Sequence, residues 1–169
     1  MPSLNRIPLT RTIAGVYVRS IRHNCAGGHF AAAWVEAEPL PAGTPDGFAF
    51  VDAVPPRGPR GERIPAELVR AFADGVREAW APLTEEEAAE HAAEGRPLPP
   101  PPLTALVRLV DARWHAEDST RKSFAVAGHL AAREIAHCAV EGRLPRPVLR
   151  TRREPYLPWE RGLAVSVGD

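Results

Sequence analysis

No run of apolar residues in this chain approaches the roughly 20 that a membrane-crossing helix needs, which excludes a helical span. Cysteine is scarce: Cys25 and Cys138 are the only two. They cannot build a disulfide framework. At 169 residues the chain can bury roughly 70% of the surface its unfolded form exposes, so neither a disulfide nor a metal is needed to stabilise one domain. The opening MPSLNRIPLTR lacks the apolar stretch of a signal peptide. The expectation is a cytoplasmic protein with reduced thiols. Net charge is missing as well, +0 at pH 7, which argues against a generic nucleic-acid coat.

Recognisable catalytic signatures are also absent. There is no G-x-S-x-G elbow, no H-E-x-x-H, no paired C-x-x-C and no phosphate-binding P-loop. The expectation is a non-enzymatic chain with no cofactor.

Charge is present but unevenly placed. Arg6, Arg11, Arg19 and Arg22 all precede the first acidic residue, Glu36. Residues 143–161 hold six arginines against Glu154 and Glu160, while residues 85–94 hold five glutamates and no lysine or arginine. Such asymmetry can give a neutral molecule a basic face, although solvated surface is the commoner fate of any one cluster.

TIAGVYVRSI (12–21) and HFAAAWVEAEPL (29–40) read as strands, and Gly27 and Gly28 supply the turn of a hairpin between them. GFAFVDAV (47–54) reads as a third strand. A helix is predicted from Pro65, with Leu68, Ala71, Phe72, Gly75, Val76 and Ala79 as its apolar stripe. Residues 83–102 look like an insertion. Thr84 and Glu87 have capping-box spacing, a short exposed helix ends at Gly95, and PLPPPP (97–102) is a stiff polyproline segment. LTALVRLVDA (103–112) reads as a central strand. Asp118 is placed to cap a second helix that runs to Gly142, in which Gly128, Ala131 and Ala132 would allow close approach to a neighbour. RPVLRTRR (146–153) reads as an edge strand. Strands first, with helices between the later ones, indicate an α+β sandwich with two helices on one face of a mixed sheet.

Histidine chemistry has several readings. His23, Cys25 and His29, joined by His115, are residue types that zinc accepts, but H-x-C-x3-H is not a familiar ligand spacing, and placement in a glycine turn explains it equally well. Glu87 and His91 lie four apart on an exposed helix, where a surface pair is the default. His115 follows Trp114 at a strand–helix junction. A general base there would need an orienting partner and a pocket. No metal site is assigned.

Residues 12–149 resemble domain IV of the elongation factor G and elongation factor 2 group. The most specific stretch is VRLVDARWHAEDSTRKSFAVAGHLAAREI, where Val107, Leu109, His115, Asp118, Ser119, Phe124, Ala127, Ala131 and Glu134 fall on the family pattern. Phe48, Phe50, Ile64, Pro65, Gly75 and Glu78 match a second stretch, and RPVLR (146–150) the start of the last strand. The resemblance implies a ribosomal protein S5 domain 2-like α+β sandwich. Its sheet would be mixed and four- to five-stranded, with two main helices on one face and a left-handed βαβ crossover. The domain would cover residues 12–158, with the insertion at 83–102, an N-terminal extension (1–11) and a C-terminal tail (159–169). In the family this domain enters the ribosomal decoding site through two tip loops, which map onto residues 23–29 and 112–118. The first departs from the family pattern: AGGHF has His29 where glutamine is usual, and no arginine.

Two functions follow as expectations. One is an RNA- or ribosome-binding module whose contacts are Arg19, Arg22, His23, His29, Arg113, Trp114, His115, Arg121 and Lys122. Trp114 could stack on an unpaired base, or close one end of the core. The alternative is a protein-interaction module that kept the fold and captures a protein partner through residues 84–101, since polyproline segments are ready ligands for aromatic grooves.

Overall fold

A computed structural model describes residues 6–23, 28–41, 44 and 47–153, with the side chains of His23, Arg152 and Arg153 excepted. Six strands and three helices are formed among them: β1 (Ile7–Pro8), β2 (Ile13–His23), β3 (His29–Glu38), β4 (Phe48–Asp52), α1 (Ala66–Ala79), α2 (Glu85–Ala93), β5 (Leu103–Arg113), α3 (Arg121–Glu141) and β6 (Val148–Arg153). One sheet runs β5-β3-β2-β6, and both β4 and β1 pair with the outer side of β5. The two ladders of β3 are antiparallel, and the other pairings are parallel.

Alternation along the strands sorts the two faces. Val16, Val18, Ala31, Ala33, Val35, Leu103, Ala105, Val107 and Leu109 are buried beneath the helices. Tyr17, Arg19, Phe30, Trp34, Glu36 and Arg108 occupy the intervening positions and are partly exposed on the other face. Helices α1 and α3 pack on the first face and against each other. Their crossing depends on two glycines. A Cβ at Gly75 would stand 2.0 Å from the Ala125 carbonyl oxygen, and one at Gly128 would stand 2.1 Å from that of Phe72. Phe72, Trp80 and Phe124 fill the layer between helices and sheet. The Trp80 indole N–H donates to the Ala132 carbonyl at 3.2 Å, so its one polar group is satisfied. Burying each such ring contributes roughly 1.5–3 kcal/mol.

The structure departs from the sequence expectations in several places, the following among them. Part of the segment read as an N-terminal extension joins the sheet: Ile7–Pro8 lies beside Leu103–Thr104, and Leu9 is buried. Pro65 is the N-cap of α1 instead of its first helical residue. Asp118 does not cap α3. Thr120 does, in a capping box with Ser123, while the Asp118 carbonyl, two residues before this cap, is engaged by the Phe30 N–H. The strand from His29 ends at Glu38, two residues early, ahead of Pro39 and Pro41. The short helix expected within residues 83–102 is formed. α2 carries the Thr84–Glu87 capping box and has no buried residue.

The chain end of α3 is tied down by charge. Gly142 closes the helix in the left-handed conformation, φ 65°. Arg11 donates to the carbonyls of Cys138 and Arg143, at 2.9 and 3.0 Å. Glu134 accepts two bonds from the Arg143 guanidinium and one from the Arg146 N–H. Burial opposes ionisation of Glu134, but these donors outweigh it and hold the carboxyl below its ordinary pKa. Burial, reinforced by Glu134, raises the Cys138 thiol to about 11, so it stays protonated and inert.

Candidate functional site

The β2–β3 hairpin and the β5–α3 connection are remote in sequence, yet they meet at one end of the sheet. The contact is built around Phe30. Its N–H donates to the Asp118 carbonyl at 2.9 Å, and its carbonyl accepts from the Ser119 hydroxyl at 2.8 Å. The same hydroxyl accepts the His115 N–H at 2.9 Å, while the Ser119 N–H donates to the His115 carbonyl at 3.0 Å. The Phe30 ring meets the His115 imidazole edge-on, with centroids 5.2 Å apart. Gly28 lies so close to Asp118 that a Cβ there would stand 2.0 Å from the carboxylate. These adjacent bonds and the ring contact fix the second loop against the hairpin.

The candidate residues divide around this junction. Trp114 and His115 lie in the loop itself. The His115 side chain is 67% exposed, with Nδ1 3.8 Å from Asp118. Arg113 is exposed at the end of β5 and lies over the Trp34 ring, 5.9 Å from its centroid. Trp114 is half-buried and packs on the core, the second of the two fates considered for it. Arg19 and Arg22 are half-exposed on β2, and Arg121 and Lys122 are exposed in the first turn of α3. His29 does not join the presented set. It is 8% exposed, with Nε2 2.9 Å from the Ser20 hydroxyl, because the pleat turns its position inward. The backbone of His23 ends β2, and its side chain lies outside the description, as does all of Cys25.

The exposed His115 imidazole stands in solvent and has no pocket, among the described residues, in which to act as a base. No group of three or more metal-ligating side chains occurs among the described residues. His91 on α2 has Nδ1 3.2 Å from the Pro97 carbonyl, so it steadies the insertion, and Glu87 serves the Thr84 cap. Sequence reading overlooked Tyr17 and Trp34 as candidates. They are directly paired on β2 and β3, and their rings lie 4.8 Å apart on the face without helices. Alternation along TIAGVYVRSI and HFAAAWVEAEPL would have placed both on one face.

The fold and this junction define a class: an S5 domain 2-like α+β domain in which the β5–α3 connection is joined to the start of β3 at one end of the sheet. No protein-family model matches the chain. It is 32% identical over 134 residues to an elongation factor G-like protein of Mycobacterium tuberculosis, covering 78% of this chain and 16% of that protein. It is also 32% identical over 116 residues to elongation factor G of Aquifex pyrophilus, and over 128 residues to elongation factor G 2 of Streptomyces coelicolor. These matches cover 69% and 72% of this chain, and 14% and 16% of those proteins. A solved structure from Thermus thermophilus shares the fold, with a TM-score of 0.52 at 17% identity over 78% of this chain and 17% of its own. The chain is thus a relative of the elongation factor G proteins. It corresponds to one domain-sized segment, consistent with a domain IV-like module, and spans about a sixth of their length.

Proposed function

We propose that this chain is a translation-related module that binds the ribosome or structured RNA through its joined loops and performs no chemistry of its own. The observation that carries this reading is the joining of the β5–α3 connection to the start of β3 at Phe30, Asp118 and Ser119, with the His115 side chain left exposed. Basic side chains such as Arg113, Arg121 and Lys122 near this end suit a phosphate backbone, and the homology to elongation factor G suggests the translational setting. If about four phosphates are neutralised, the log–log dependence of affinity on salt should have a slope of roughly −3. Co-sedimentation with ribosomes at low and high salt tests this. The double variant Arg22→Ala, His115→Ala should weaken a salt-sensitive association, and unchanged sedimentation would overturn the reading.

A second reading is favoured by the insertion. Leu98 is 62% exposed beside Pro99–Pro102, in a shallow apolar groove shared with Leu83 and Ala88. Such a segment suits a protein that recognises extended proline-rich chain. Deleting residues 84–101 should abolish capture of such a protein while leaving the fold intact. Retained capture would exclude the insertion as its docking site.

A further inference from the structure

We propose that the helix-free face of the sheet, at its loop-ward end, binds single-stranded RNA by stacking an unpaired base on Trp34. The partner class rests on the reading above, but the surface is a different one.

The face is defined by register. Arg19, Ala32 and Arg113 lie in one row across β2, β3 and β5, since Arg19 pairs with Ala32 and Ala32 with Arg113. The neighbouring row is Tyr17, Trp34 and Asp111, and on the other side Ile21 pairs with Phe30. Two arginines therefore end a row whose centre is a small residue, flanked by Trp34 and Phe30. Adjacent strands are about 4.8 Å apart, so the two arginine positions are roughly 10 Å from each other. That span fits phosphates on either side of a base stacked on Trp34 in the adjoining row.

Trp34 is already in contact with a cation. The Arg113 guanidinium sits near the limit of a cation–π contact, and Tyr17 supports the indole from the β2 side. A base has the same flat, polarisable surface as a guanidinium. It can take the place above the indole while Arg113 turns to a phosphate. The acidic groups of this face do not oppose it there. Asp111 is engaged by Arg57, Glu38 lies 3.5 Å from Arg108, and Glu36, two residues along β3 from Trp34 on the side away from the loops, stands opposite Arg108 in the register. Among the described residues, α1 and α3 cover only the opposite face, and the 53–63 loop reaches this one from the β4 edge through Arg57.

The test uses a labelled 12-nucleotide unstructured RNA, the same strand annealed to its complement, and the same strand with its bases removed, each read by fluorescence anisotropy. The unmodified protein should prefer the intact single strand over both the duplex and the abasic strand. Trp34→Leu keeps an apolar side chain in the sheet but removes the aromatic surface. It should lose roughly ten- to a hundredfold in single-strand affinity, and bind the intact and abasic strands alike. Trp34→Phe should recover part of the loss. Equal binding of intact and abasic strands by the unmodified protein would overturn the inference without any variant. If Trp34→Leu binds normally while the Arg22→Ala, His115→Ala variant fails on ribosomes, the stacking surface is wrong and the loop reading stands. If Trp34→Leu loses the single strand while that double variant keeps full ribosome association, the stacking surface stands and the loop reading fails.

Discussion

At the scale of single residues, two glycines decide how closely the helices approach. A methyl group at Gly128 would meet the backbone oxygen of Phe72, and one at Gly75 that of Ala125. Backbone cannot swing aside as a side-chain end does, so the helices would have to separate. Gly128→Ala should therefore destabilise the protein by about 1–3 kcal/mol, although the same change in an exposed helix interior gains up to ~1 kcal/mol. Urea denaturation of the variant checks the sign. A gain in stability would mean that the helices do not cross here. The sequence already signalled close approach through Gly128, Ala131 and Ala132, because small residues at helical spacing have few other uses. It did not signal that Gly75 answers Gly128 from the other helix, since that depends on tertiary register. Capping was legible only in part. Thr120→Ala should cost about 1 kcal/mol, and Asp118→Ala clearly less, because the Asp118 contact with Phe30 is made by its carbonyl. Asp118, Ser119 and Thr120 are all capping types, and the competition among them is settled by the hairpin, which takes the first two.

At the scale of elements, the end of α3 is the place where charge fixes the path of the chain. Glu134 receives Arg143 and the Arg146 N–H, which fixes the turn into β6 and hence that strand's position beside β2. Its carboxyl is held below the ordinary value of 4.5. A carboxyl with a depressed folded pKa stabilises the protein fully above the unfolded value. That contribution falls away as the pH drops from about 4.5 through the lower folded value. Urea midpoints of the unmodified protein should therefore fall across this acid range. Those of Glu134→Gln should start lower at neutral pH and lose less on acidification. Parallel curves would show that Glu134 gains nothing from its donors. This arrangement was invisible in sequence, where Glu134 appeared only as a helical position of the family pattern and Arg143 as one of six arginines. The strands and α1, by contrast, were legible because period-2 and period-3.6 patterns directly report which side of an element is buried. Ile7–Pro8 was not, since two residues carry no period.

At the scale of the whole molecule, zero net charge conceals a separation of charge. The insertion joins the first residue of β5 and the His115 loop follows the last, so an eleven-residue strand separates them, roughly 33 Å at 3.3 Å per residue. Glu85, Glu86, Glu87, Glu90 and Glu94 lie toward one end, while Arg113, His115, Arg121 and Lys122 lie toward the other. Deleting residues 84–101 removes those five carboxylates and one guanidinium, Arg96, a shift of four positive charges. α2 buries nothing, so the fold should survive. The effect on RNA binding should then depend on screening. At 0.1 M salt the Debye length is about 10 Å, well short of the separation, and affinity at the loop end should change by less than about twofold. At 0.01 M it reaches about 30 Å, and the deletion should tighten binding several-fold. Anisotropy titrations at both salts measure this. A large gain that persists at 0.1 M would mean that RNA contacts the protein beside the insertion. A gain at low salt alone fixes the contact at the far end, where the loops and the Trp34 face converge.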